Sequence, residues 1–157
     1  MILATTVELI IEISLLIIVL SAFAIVASIV IVRNLQTSYK DLYRSQSKFD
    51  IELRKAANLV SKAVKSEQFA KFDDKVVKEL PYAEKKELLD LIDLAYSELD
   101  QDNDKLHYVV ETYENLQESR RILDAKILLF NQKISYFPFR LYARFMKITK
   151  QKYFTHK

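Results

Sequence analysis

Residues Ile13 to Val32 read ISLLIIVLSAFAIVASIVIV, twenty positions without a charge. As a helix this run spans about 30 Å, the hydrocarbon thickness of a bilayer. A cleaved signal peptide is the rival reading, because Ala22-Phe23-Ala24 imitates a cleavage site. A signal peptide carries a basic leading segment, however, and MILATTVELIIE offers only the terminal amine and two glutamates. The apolar run also continues past the imitated site. The expectation is an uncleaved transmembrane helix at 13–32 in contact with lipid, behind a short tail at 1–12.

Flanking charge sets the expected orientation. No Lys or Arg precedes the run, whereas Arg33, Lys40, Arg44 and Lys48 follow it closely. The positive-inside bias puts the N-terminus outside and the C-terminal part in the cytoplasm. Ser21, Ala24 and Ser28 place small residues on one side of the span. They suit a partner helix, but ordinary lipid-facing composition accounts for them as well.

Beyond Arg33 the apolar positions fall at Leu35, Tyr39, Leu42, Phe49, Leu53, Ala56, Val60 and Ala63, with Gln46 in the same series. Alternating steps of four and three make a helix with a coiled-coil-like seam. No breaker separates it from the apolar run, so the two are expected to be continuous. Ser66–Leu80 mixes charge with Phe69, Phe72, Val76 and Val77, and blurs the end of this helix. Pro81 opens a new segment with Leu88, Leu91, Ile92, Ala95 and Leu99 at helical spacing. A longer series runs through Leu106, Val109, Tyr113, Leu116, Arg120, Leu123, Ile127, Phe130, Ile134 and Phe137. Phe137-Pro138 is expected to stop it, because a residue before proline avoids the α region. Pro138 then suits the first position of a short final helix. In that helix Leu141, Tyr142, Phe145 and Ile148 face one way and Arg140, Arg144 and Lys147 the other.

The chain contains no glycine and two prolines. That composition disfavours phosphate-cradling loops and tight hairpins, which need positive φ. The absence of cysteine excludes disulfides and thiolate zinc sites. The predicted fold is therefore all-α. An N-terminal single-pass transmembrane helix precedes an antiparallel bundle of long helices at 33–157, with a short C-terminal helix.

The C-terminal half resembles the LemA family of bacterial membrane proteins. The likeness rests on Arg120, Phe130-Asn131, Ile134, Phe137-Pro138, Leu141, Ala143-Arg144 and Tyr153-Phe154, matched without a gap. Phe49-Asp50-Ile51-Glu52-Leu53, followed by Leu59 and Val64, is similar to the family's first helix. The likeness covers about Asn34 to Phe154. Leu59-Val60-Ser61-Lys62-Ala63 lacks the family's proline and asparagine, Asp124 replaces an asparagine, and Lys147 stands where a glycine is usual. The resemblance implies one span, a helical bundle in the cytoplasm and no known catalytic activity. It also implies a membrane or envelope-stress protein as partner, with a membrane zinc protease as one candidate.

Histidine is scarce. His107 and His156 have no second histidine or glutamate at zinc-ligand spacing, and no catalytic, cofactor or metal residue is expected. Asp100, Asp102, Asp104 and Glu111 imitate positions of a calcium loop, but Lys105 occupies the position that needs glycine. An acidic helix start, capped by Asp102, Asn103 or Asp104, explains them better. Arg120 lies on an apolar seam, where a guanidinium needs a partner. Asp50 is the candidate across the bundle, and Asn131 is a candidate for an interhelical hydrogen bond. These three residues read as a polar set that fixes helix register.

Charge is asymmetric. From Ala125 onward there are eight Lys or Arg and no acid, against sixteen basic and twenty-one acidic side chains before it. That excess is modest for nucleic acid, and no nucleic-acid module is present, so none is expected as a partner. If 33–80 is one helix, chain parity places the last helix far from the bilayer. If Ser66–Leu80 returns, the last helix lies near it. The long first helix is the expectation, with the final helix as a packed cap. Its basic face, Arg140, Arg144 and Lys147, is left for a protein partner or lipid. The functional expectation is a non-enzymatic, membrane-tethered scaffold or adaptor. The alternative is a lipid-organising or membrane-remodelling protein acting through the C-terminal helix. A homo-oligomer is compatible with both.

Overall fold

The computed structural model describes residues 2–64, 67–73, 75–99 and 106–155. Helix α1 runs unbroken over Ile2–Val64. It contains neither proline nor glycine, so nothing in its backbone interrupts the hydrogen-bond ladder. The hydroxyls of Ser14, Ser21 and Ser28 each donate to the carbonyl four residues earlier, at 2.7 Å. A hydroxyl in an apolar run is satisfied in this way without a partner chain. Helix α1 is long and apolar enough to cross a membrane.

Short pieces follow: a 3-10 turn at Glu67–Phe69, helix α2 at Ala70–Asp73 and a second 3-10 turn at Val77–Glu79. Helix α3 spans Tyr82–Ser97, α4 His107–Lys133 and α5 Phe139–Phe145. No strand occurs among the described residues. The chain forms two compact units. One joins the residues up to Ser38 with Lys133–Thr149, and the other joins Tyr39–Gln132 with the chain from Lys150 on.

In the second unit the core follows the seams. Phe49, Leu53, Ala56 and Val60 of α1 are buried, as are Leu88, Leu89 and Ile92 of α3 and Leu116, Leu123, Ile127 and Phe130 of α4. Each buried Leu, Ile or Phe removes enough apolar surface to stabilise by roughly 1.5–3 kcal/mol. Tyr39 stays partly exposed, its ring 5.8 Å from that of Phe130.

The stretch after α1 departs from expectation. The first helix ends at Val64 instead of continuing to residue 80. Phe69, Phe72 and Val77 line a small cavity with Ala57, Asn58 and Ser61 of α1 and Leu88 of α3. The chain thus folds back along α1. Lys71 pairs with Glu87 at 2.7 Å and Lys75 with Glu84 at 2.6 Å, tying this stretch to α3. Phe69, Phe72, Val76 and Val77 have helical spacing, but the backbone is extended at Val76, with φ −79° and ψ 108°, and at Leu80, so short turns replace one helix. Pro81 does open α3, as its N-cap residue.

Helix α4 ends at Lys133, four residues before Phe137, and the Tyr136 N–H donates to the Lys133 carbonyl. Phe137 leaves the seam and is 84 % exposed. Pro138 is the N-cap residue of α5, not its first helical position. That helix is closed at its other end by Lys147 in the left-handed region, φ 55°. The Ile148 N–H donates to the Ala143 carbonyl and the Lys147 N–H to that of Arg144. This is a Schellman cap, whose left-handed residue is usually glycine. A side chain there costs about 1–2 kcal/mol, against about 0.5–1 kcal/mol for glycine's extra freedom when unfolded. Lys147→Gly is therefore expected to raise stability by up to about 1 kcal/mol, measured by chemical denaturation. Lys147→Ala should bring no such gain.

Candidate functional site

Two groups of residues bear on function: a polar set within the second unit and the α5 surface within the first.

The polar set is assembled differently from the sequence expectation. Asp50 and Arg120 are not partners. The Asp50 carboxylate accepts from Lys85 Nζ at 2.7 and 2.8 Å, and their side chains are only 7 % and 4 % exposed. Burial pushes the Asp50 carboxyl up, opposed by the hydrogen bond and charge of Lys85 and by the charge of Lys78. Lys85 lies one turn before Leu88 on the buried stripe of α3, and that spacing was the signal for it. Arg120 Nη1 instead donates to Asp93 at 3.1 Å. Asp93 also accepts from the Tyr113 hydroxyl at 2.9 Å and from Gln117 at 2.8 Å. The Tyr113 ring stacks on Tyr96 at 3.7 Å. Arg120 Nε is buried without a hydrogen-bond partner among the described residues.

Asn131 reaches the C-terminal tail. Its amide nitrogen donates to the Gln151 carbonyl at 2.8 Å, and its oxygen accepts from the Gln151 N–H at 2.8 Å. Two turns earlier on α4, Asp124 accepts the N–H groups of Phe154 and Thr155, each at 2.8 Å, and the Thr155 hydroxyl. The Tyr82 hydroxyl donates to the Tyr153 carbonyl. Burial first, then the carboxylates of Asp124 and Asp90, pushes the Tyr82 hydroxyl up. These bonds seat Phe154 in the core, with its ring 4.7 Å from Phe49 and 5.0 Å from Tyr82. Asp124 looked like a departure from a family asparagine, yet it does the work of a clamp. A carboxylate accepts two N–H groups, which an asparagine oxygen shares less strongly.

In the first unit α5 lies against α1. The Tyr142 hydroxyl is 2.5 Å from Ser28 Oγ. Lys133 Nζ donates to Asn34 Oδ1 at 2.7 Å and to the Ser38 hydroxyl, and it stands 5.5 Å above the Phe139 ring. This overturns the expectation that the last helix sits far from the apolar segment. The return of the chain after Val64 reverses the parity. Tyr142 and Ala143 face α5's support, while Leu141 and Phe145 are 49 % and 77 % exposed. The helix is therefore not a fully packed cap. Arg140, Arg144 and Lys147 are exposed and make no ion pair among the described residues.

No group of three metal-ligating side chains occurs among the described residues. His107 is exposed at the start of α4, while Asp100, Asp102, Asn103, Asp104, Lys105 and His156 lie outside the described residues. Among the described residues the protein is all-helical, with one helix long and apolar enough to cross a membrane. Comparison with family models, curated proteins and solved structures gives no match.

Lys85→Met leaves the Asp50 carboxylate buried and alone, and is expected to cost about 3–5 kcal/mol. Adding Asp50→Leu should recover most of that loss, because the desolvation of both charges disappears. Chemical denaturation of the two variants checks this. Burial, then the bond and charge of Asp93, pushes Tyr113 up to about 12 from 10.0. The folded state thus holds this proton more tightly than the unfolded state. Its contribution is complete below about pH 10 and is lost as pH rises through about 12. Ultraviolet titration of tyrosinate should show a last step that Tyr113→Phe removes.

Proposed function

We propose that the chain is a non-enzymatic, membrane-tethered helical scaffold or adaptor of the LemA type. The observation that carries this is the change of environment along one helix. On α1, the large apolar side chains from Val7 to Val30 are exposed, whereas Leu35, Leu42, Phe49, Leu53 and Val60 are buried. One continuous helix thus has a part suited to lipid and a part suited to a protein core. The lipid-suited part crosses a bacterial cytoplasmic membrane with the N-terminus outside. The rest forms an antiparallel, coiled-coil-like bundle in the cytoplasm. The pairs Tyr96–Tyr113, Asp93–Arg120 and Tyr39–Phe130 support that direction of packing.

The LemA reading gains support from what the matched residues do. Asn131 and Tyr153-Phe154 hold the tail, Phe49 receives it, and Asp50 and Arg120 each join two helices. The polar side chains tie helix to helix and tail to helix, an arrangement suited to a scaffold. The partner we expect is a membrane or envelope-stress protein, with a membrane protease as one candidate.

The chain has no cysteine, which makes single-cysteine topology mapping direct. In intact cells a membrane-impermeant maleimide should label Thr6→Cys but not Lys126→Cys until the cells are opened. The reverse pattern would overturn the orientation. A proximity-labelling enzyme fused after Lys157 should then mark one membrane protein above all others. Labelling of bulk membrane neighbours alone would sink the adaptor reading.

A further inference from the structure

We infer that the exposed face of α5 is a docking surface for anionic lipid headgroups, seated on the same bilayer that α1 crosses. The inference rests on the membrane-anchor reading above and adds a second contact with the bilayer. Its first support is the level of α5 along α1. Lys133 binds Asn34 and Ser38, just beyond Arg33, and Tyr142 reaches back to Ser28. Ser28 lies five residues inside the apolar run, about 7.5 Å along the helix axis from Arg33. With 13–32 in hydrocarbon, α5 stands at the boundary between headgroups and acyl chains. Interfacial amphipathic helices bury their apolar face about 5–10 Å into that boundary.

Its second support is the chemistry of the outward face. Phe137 before the helix, and Leu141 and Phe145 one turn apart on it, are large apolar side chains left in solvent. Arg140 and Arg144 stand beside them, each one residue before an exposed apolar side chain, and Lys147 follows. Aromatic and basic groups side by side suit the headgroup layer, where rings enter the acyl boundary and cations meet lipid phosphate. No acid lies in the sequence beyond Asp124 to oppose that attraction. The Ser28–Tyr142 bond has a role here as well: it holds the short helix at this depth.

The chain has no tryptophan, so a single introduced one reports alone. Full-length chain carrying F145W, or separately F23W within the apolar run, is reconstituted into phosphatidylcholine vesicles with and without phosphatidylglycerol. Phospholipids brominated at shallow or deep acyl positions serve as quenchers. F145W should be quenched most by the shallow label, in vesicles containing phosphatidylglycerol. Adding Arg140→Glu and Arg144→Glu should cause loss of that quenching while F23W stays quenched by the deep label. F137W, at another exposed position, is expected to behave as F145W does and guards against a local packing defect.

If F23W is quenched but F145W and F137W are not, the docking surface is overturned and the anchor stands. If F23W is not quenched, the anchor fails and the docking surface with it. Equal quenching in neutral vesicles, unchanged by the arginine substitutions, would overturn anionic recognition. A blue-shifted, unquenched F145W would assign the face to a protein or a second copy instead.

Discussion

A single helix with two differently patterned surfaces is the constraint on which the rest of this structure depends. The large apolar side chains of α1 between Val7 and Val30 are exposed, while Leu35, Leu42, Phe49, Leu53, Ala56 and Val60 on the seam are buried. The backbone itself is indifferent to the change, since a helix satisfies its own hydrogen bonds in either medium. What changes is the outer surface. It carries no charge from Ile13 to Val32 and is striped beyond Arg33, so the first part is suited to lipid and the second to other helices.

The striped part is then covered by α3, by α4 and by the tail. From Thr149 to Thr155 the tail is neither helix nor strand, so its backbone groups need partners. Asn131 and Asp124, two turns apart on one face of α4, supply them, and Phe154 fills the space beside Phe49. A similar economy governs the charges. Asp50 and Lys85 are both taken from water, and each is tolerated because the other is within hydrogen-bond distance. The Asp93 carboxylate gathers three donors from α4, which fixes how far that helix is rotated.

The helical seams were legible from spacing alone. The series Leu35, Leu42, Phe49, Leu53, Ala56, Val60 on α1 and Leu116, Leu123, Ile127, Phe130 on α4 are buried as their periodicity implies. The polar pairs were not. Arg120 was expected opposite Asp50, yet it meets Asp93, because spacing says which face a residue lies on and not which helix faces it. Lys85 escaped notice for a related reason. It sits on the buried stripe of α3, but a lysine at a helix start reads as solvent-exposed until its carboxylate is seen.

By itself the sequence determined the helical class, the length and position of the apolar run, and the break at Pro81, all of which depend on neighbours along the chain. Only the tertiary structure decided where the chain turns back after Val64, and with it the parity of everything downstream. The short turns between Glu67 and Glu79 are held by contacts to α1 and α3, and the helical spacing of Phe69, Phe72, Val76 and Val77 gives no sign of where they break. That local return brings Tyr142 to Ser28 and leaves Phe145 and Arg144 facing outward beside the apolar run. The position of α5 follows from a contact between residues 114 positions apart, which no pattern within the helix could reveal.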